Sequence, residues 1–195
     1  MSTHDETDVA TRATALLGRE LHAHGVTLRI TEVEAYGGIH DPASHAYTRT
    51  ARSEIMYGPP WRLYCYRSYG IHWCANVVTG PTEQAAAVLL RAGEVVDGLD
   101  LARSRRPGVP DVRLARGPGN LAQALGITGD DLGSELLDET GAVHLGPERP
   151  PVGRVSAGPR VGVSRAADVP WRFWVTGDPT VSAYRRSPKA PQASE

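Results

Sequence analysis

VTLRITEVEAY, residues 26–36, is the stretch on which the fold turns. It is rich in β-branched residues and predicts a strand. Strand side chains alternate between two faces, so an unbroken strand puts Leu28 and Ile30 on one face with Glu32 and Glu34. An apolar face that continues as two carboxylates needs a cause. The strand bulges or ends there, or the acids belong to a site at its end. Side chains at i and i+2 sit roughly 7 Å apart, two rises of about 3.3 Å, a spacing usable for acid/base chemistry. Solvated surface acids fit the same pattern.

Working outward, residues 9–24 place Val9, Ala13, Leu16, Leu17 and Leu21 near helical spacing, and Gly25 suits a helix C-cap. Residues 1–8, polar and acidic, read as a disordered N-terminus with no signal peptide. Downstream, 37–60 reads as a long loop carrying His40, His45, Arg49 and Arg52. Residues 62–67 and 71–78 predict a hairpin around Ser68-Tyr69-Gly70, with an aromatic side chain at its tip. Residues 85–91 read as a buried strand and 94–105 as a helix. Residues 116–119 form a Gly/Pro loop before a short helix, 120–125, closed by Gly126. Short strands are predicted at 161–164 and 171–176. From 185 to 195 the chain reads as a disordered tail, which leaves 9–184 as one domain.

The chain has 195 residues and a formal net charge of −1, so overall charge does not argue for a nucleic-acid partner. A local patch does. Six of twelve aromatic residues fall between Tyr57 and Trp73, and residues 44–76 carry Arg49, Arg52, Arg62 and Arg67 against Glu54 alone. Interleaved aromatics and arginines suit base stacking and phosphate contact, although aromatics on strands also pack cores. Tyr69, beside a glycine in a tight turn, is poorly placed for a core. The single lysine, Lys189, lies in the tail, so the folded part offers no amine for Schiff-base chemistry. Cys65 and Cys74 form no CxxC pair and read as buried strand thiols. His40, Asp41 and His45 do not match a strong zinc pattern, and no metal or cofactor is expected. Gly117-Pro118-Gly119-Asn120 could cradle a phosphate at a helix start or simply turn the chain. No apolar run approaches membrane-spanning length, and a cytoplasmic monomer is the default expectation.

These segments, in order, give the sequence a resemblance. ITEVEAY (30–36), DPASHAYTRTARSEIMY (41–57), LYCYRSYGIHWCANVV (63–78), VLLRAGE (88–94), RGPGNLAQALGI (116–127), PRVGVSRA (159–166) and RFWVTGDPTVS (172–182) resemble the alkyladenine, or 3-methyladenine, DNA glycosylase family across about residues 15–184. The resemblance implies an α+β fold: one compact domain with a mixed, mostly antiparallel curved sheet, flanking helices and a protruding β-hairpin that inserts into DNA. It implies removal of alkylated purines from damaged double-stranded DNA after base flipping. Carried over residue by residue, Glu34 falls on the general base and Arg91 on an active-site arginine near the sugar and phosphate. Tyr36, His45 and Tyr66 fall on the residues that enclose the flipped base. Asn76 falls on the pocket-floor asparagine linked to discrimination against guanine, and Tyr69 on the intercalating hairpin residue. Electron-rich tyrosine faces would favour a cationic alkylated purine. The absence of a usable lysine implies a monofunctional, water-using enzyme.

The sequence departs from the family at Tyr57-Gly58-Pro59-Pro60-Trp61, where a Pro-Gly turn is usual, and at Ser53, where asparagine is common. Both changes bear on substrate range, which stays open among 3-methyladenine, 7-methylguanine, hypoxanthine and ethenoadenine. No proton donor for a neutral lesion stands out. Two rivals remain: a non-catalytic nucleic-acid binding module related to the formyltransferase C-terminal domain, and a carbohydrate glycosidase using Glu32 and Glu34.

Overall fold

The computed structural model describes the backbone of residues 4–191. Its centre is β2 (Val26–Tyr36), and every strand pairing around it is antiparallel. β5 (Ala87–Asp97) runs along one edge of β2. The other edge is shared: β1 (Glu20–Ala23) covers residues 26–29, and β8 (Arg172–Val175) covers residues 32–34. The hairpin of β3 (Leu63–Ser68) and β4 (His72–Val78) extends the sheet beyond β5. β6 (Val143–Leu145) adds to β1, and β7 (Val155–Gly158) to β8. The sheet curls, and α1 (His4–Leu16), α2 (Leu99–Arg105) and α3 (Pro118–Leu125) flank it in one α+β domain.

The broken alternation of β2 is a β-bulge. Its register against β5 shifts between Ile30 and Glu32, leaving Thr31 unpaired on β2, and shifts back between Glu32 and Val33, leaving Arg91 unpaired on β5. The apolar side chains keep to the core across the bulge: Leu28, Ile30, Val33 and Ala35 join one cluster with Leu16, Leu63, Leu90 and Leu121. Glu32 and Glu34 therefore do not share a face with Leu28 and Ile30, as they would in a regular strand. The bulge exchanges the faces, and the carboxylates project to the side covered by β8 and the segments around 161 and 182.

Other expectations are corrected. The helix expected at 9–24 stops at Leu16, and 20–23 form β1. Gly18 takes φ +86°, and a Cβ there would meet the Pro150 carbonyl oxygen at 2.7 Å. Gly25 is no helix cap. With His24 it makes a two-residue hairpin turn with φ of 80° and 46°, the twist that β1 and β2 need. The helix expected at 94–105 begins only at Leu99, because residues 94–97 lengthen β5 against Thr27–Arg29 in a ladder supported by an Arg29–Glu94 ion pair of 2.9 Å. Residues 161–164 are a turn, with Gly162 at φ +72°. β6 and β7 were not expected.

At the ends, residues 1–3 and 192–195 lie outside the described residues, and 4–8 belong to α1. The segment expected as a tail returns over the 160s: the Gly162 amide donates to the Arg185 carbonyl (2.9 Å), and Arg186 pairs with Asp168 (2.6 Å). Among the described residues no helix is long and apolar enough to cross a membrane.

Candidate active site

The bulged half of β2 opens onto a cavity of about 510 Å³, within the size range of small-molecule sites. Glu34 sits in its wall, fully buried. Its Oε1 accepts from the Val161 amide at 2.7 Å and faces Arg91 Nη1 at 3.3 Å. Its Oε2 accepts from the Tyr36 hydroxyl at 2.8 Å. A carboxylate offers about four acceptor sites. These contacts take three and leave one on Oε2 for a water.

Glu32 has a different job. It accepts from Arg91 Nε (3.0 Å), Arg172 Nε (2.6 Å) and the Ser182 amide and hydroxyl (2.7 and 2.9 Å). It is thus a buried clamp that ties β5, β8 and residue 182 together, with two guanidinium groups on the one carboxylate. Burial works against charge on Arg91, but Glu34 and Glu32 more than offset it and raise its pKa. Burial, followed by the adjacent Glu34 carboxylate, raises the Tyr36 phenol well above its ordinary value. Tyr36 therefore stays a donor to Glu34.

Behind Tyr36 lies Arg160, which is 1% exposed. Its guanidinium sits 4.8 Å from the Tyr36 ring centroid and 5.3 Å from that of Trp171. It donates to the Ala35 carbonyl and pairs with buried Asp41. Asp41 also accepts from the Gly37 and Ala43 amides. Asp41 is therefore engaged and does not converge with His40 and His45. Among the described residues no group of three or more His, Cys, Asp or Glu is arranged to hold a metal ion.

The facing wall comes from β3, β4 and the 45–57 loop. His45 Nδ1 lies 2.9 Å from the Tyr64 hydroxyl, and its ring stands edge-on to Tyr66 at 4.6 Å. Asn76 is buried and donates from Nδ2 to the Tyr64 carbonyl at 3.0 Å. Ser53, where the family prefers asparagine, is buried and accepts from the Thr50 amide, which braces the loop behind Met56. Cys65 and Cys74 are buried free thiols, and burial pushes Cys65 up to about 12.

The basic stretch divides in two. Arg49 is bound to Glu54 and Glu83, and Arg62 to Glu135. Arg52 and Arg67, both on the cavity, have no carboxylate partner among the described residues. Arg52 lies 4.9 Å from the Tyr66 ring centroid, and Arg67 lies 5.5 Å from that of Trp73. Each tyrosine expected to attract a cationic base thus already carries a guanidinium on one face.

At the rim, Tyr69 is 93% exposed at φ +51°, followed by Gly70 at φ +69°. These are the central residues of a turn closed by the Ile71 amide donating to the Ser68 carbonyl at 3.0 Å, within a three-residue loop, 69–71, between the paired Ser68 and His72, and the phenol points away from any core. Pro118 at the start of α3 reaches the cavity edge, while Gly119 packs on His72, with room of only 2.9 Å for a Cβ.

Glu34, Tyr36, His45, Tyr66, Tyr69, Asn76 and Arg91 all line this one cavity. Sequence reasoning did not find the Val161 amide, Tyr64 as a hydrogen-bonding wall, or the Arg160–Asp41 pair. The run PRVGV (159–163) was available as a signal, but the donor there is backbone and carries no residue code.

His45 yields a pH prediction. Burial, then the nearby Arg52, lower its pKa from 6.5 to about 4. Between these values the unfolded chain binds more protons than the folded one, so this contribution to stability is lost as pH falls from about 6.5 toward 4. Melting temperatures of His45→Gln should therefore fall less steeply than wild type across that window. Parallel curves would contradict it. His22, also lowered by burial and by its stacked neighbour His144, contributes equally to both proteins.

Comparison with known proteins adds the last observation. The profile of the family described as methylpurine-DNA glycosylase matches residues 3–179. A Nocardia farcinica protein is 54% identical over 195 aligned residues, covering 96% of this chain and 92% of its own. A Mycobacterium tuberculosis H37Rv protein is 53% identical over 191, covering 94% and 93%. Both carry the name 3-methyladenine DNA glycosylase as a provisional assignment.

Proposed function

The chain belongs to the methylpurine-DNA glycosylase family and is a DNA-repair glycosylase, and from that premise we propose that Glu34 activates the water that releases an alkylated purine from flipped-out double-stranded DNA. A base inside a duplex is out of reach of any buried carboxylate. Rotating it out costs a few kcal/mol, least at damaged pairs. Tyr36, His45 and Tyr66 then enclose the base, Asn76 forms the floor, and Arg91 holds the sugar–phosphate side. Alkylation at N3 or N7 leaves the purine positively charged and therefore a good leaving group. The free acceptor site of Glu34 orients a water toward the anomeric carbon. Its negative charge stabilises the oxocarbenium-like transition state, as carboxylates do in glycoside hydrolysis.

The observation that carries this reading is Glu34 itself: a fully buried carboxylate in a cavity wall, held by one amide, one phenol and one guanidinium, with an acceptor site to spare. Glu32, ion-paired with both Arg91 and Arg172, is held as a carboxylate and is not available as a second acid, which disfavours the two-carboxylate glycosidase. The only lysine, Lys189, does not line the cavity, so water rather than an amine is the nucleophile. The enzyme then acts as a monomer in the cytoplasm and needs no cofactor. The test is a panel of duplexes with single 3-methyladenine, 7-methylguanine, hypoxanthine or ethenoadenine lesions, incubated with wild type and Glu34→Gln.

Tyr69 fits the role of a wedge that fills the gap left by the flipped nucleotide. Tyr69→Ser should weaken binding to lesion duplexes about tenfold, taking one base-stacking contact at about 1–3 kcal/mol, with an unchanged melting temperature. A large drop in melting temperature would mark the side chain as structural.

A further inference from the structure

We propose that Arg52 sets the enzyme's preference between charged and neutral lesions, standing against a cationic base and in favour of a neutral oxopurine. The inference rests on the excision reading above and adds a specificity determinant to it.

Three observations carry it. The Arg52 guanidinium lines the cavity and lies over the Tyr66 ring, 4.9 Å from its centroid. It has no carboxylate partner among the described residues, in contrast to Arg160 behind Tyr36, which Asp41 neutralises. The cavity of about 510 Å³ exists with Arg52 in this position, so a flipped base enters beside the guanidinium rather than in its place.

Two physical consequences follow for a purine in that space. Arg52 is itself exposed at the cavity, and an unneutralised cation close to the base repels a second positive charge, the more so as the seated base excludes water from between them. The guanidinium also takes up the Tyr66 face that would otherwise stabilise a cationic ring. The same field already acts on a resident group: after burial, Arg52 is what holds His45 against taking a proton. A neutral oxopurine has the opposite fit. Its O6 and N7 acceptors match a guanidinium fork. Methylation at N7 removes one of those acceptors and adds the charge, so 7-methylguanine loses on both counts and hypoxanthine on neither.

The test is single-turnover release of 7-methylguanine and of hypoxanthine by wild type, Arg52→Gln and Arg52→Lys. Arg52→Gln should raise the ratio of 7-methylguanine to hypoxanthine release about two- to thirtyfold, the span of one cation–π contact. Arg52→Lys keeps the charge but not the fork and should give a ratio between those of wild type and Arg52→Gln. An unchanged ratio in Arg52→Gln, with both rates falling together and a shallower salt dependence, would make Arg52 a phosphate contact and overturn the proposal. A lower ratio would overturn it as well. Release of neither base by wild type would overturn the excision reading, and this proposal with it.

Discussion

Glu34→Gln should lower the single-turnover rate of base release by about 10²–10⁴, the usual contribution of a positioned general base, or roughly 3–5 kcal/mol of barrier at 1.36 kcal/mol per tenfold. The substitution keeps the shape of the side chain, and Gln Oε1 can still accept from the Val161 amide. Arg91 keeps Glu32 as a counter-charge. What disappears is the proton acceptor and the negative charge opposite the developing oxocarbenium. Affinity for lesion duplexes should therefore stay within a fewfold of wild type while the rate collapses. Borohydride should trap no protein–DNA adduct with either protein. A variant that releases bases at near wild-type rate would remove Glu34 from the mechanism, and a trapped adduct would replace water by an amine.

The second large effect concerns stability. Glu32→Ala should cost about 3–5 kcal/mol, because it leaves buried Arg172 without a carboxylate and buried Arg91 with Glu34 alone. Arg91 and Arg172 are 6% and 4% exposed, and the Ser182 amide and hydroxyl lose their acceptor as well. For a chain of 195 residues this corresponds to a fall in Tm of about 6–20 °C. Glu32→Gln retains acceptors for Ser182 and should lose less. An alanine variant melting within a degree or two of wild type would show that water replaces the clamp. The two glutamates thus separate by experiment: one variant is stable and slow, the other unstable.

How much of this was legible beforehand depended on the kind of signal. The β2 strand, the β3–β4 hairpin and the exposed tip at Tyr69 follow from β-branched runs and turn residues, which act locally. β1 was hidden because Leu16, Leu17 and Leu21 also fit one face of a helix, and four residues are too few to show alternation. The boundary at Gly98 was hidden because residues 94–97 are strand only through their pairing with β2. The residues gathered round Glu34 were readable from family motifs, since their side chains carry the chemistry. The supports were not. The Arg160–Asp41 pair spans 119 positions, and the Val161 amide has no side chain to read. The basic stretch was half misleading, because the acids that neutralise Arg49 and Arg62 include Glu83 and Glu135, outside the stretch.

Thr31 has a consequence for how the sequence can vary in length. The bulge works like a shift in reading frame: upstream of it the strand shows one phase of side chains to the core, downstream the other. Flattening the bulge with every residue kept would aim Glu34 at the apolar cluster and turn Val33 and Ala35 to the cavity, whereas losing Thr31 together with the bulge would leave Val33 and Ala35 in the core and Glu34 at the cavity. A residue inserted between 31 and 34 with no further bulge to absorb it should therefore extinguish the chemistry even if every functional side chain were retained, while loss of Thr31 itself should keep Glu34 at the cavity. Equal changes in the loop at 37–60 would move only its own contacts. Drift in length across relatives should accordingly gather in that loop and, within the strand, be confined to the bulged position.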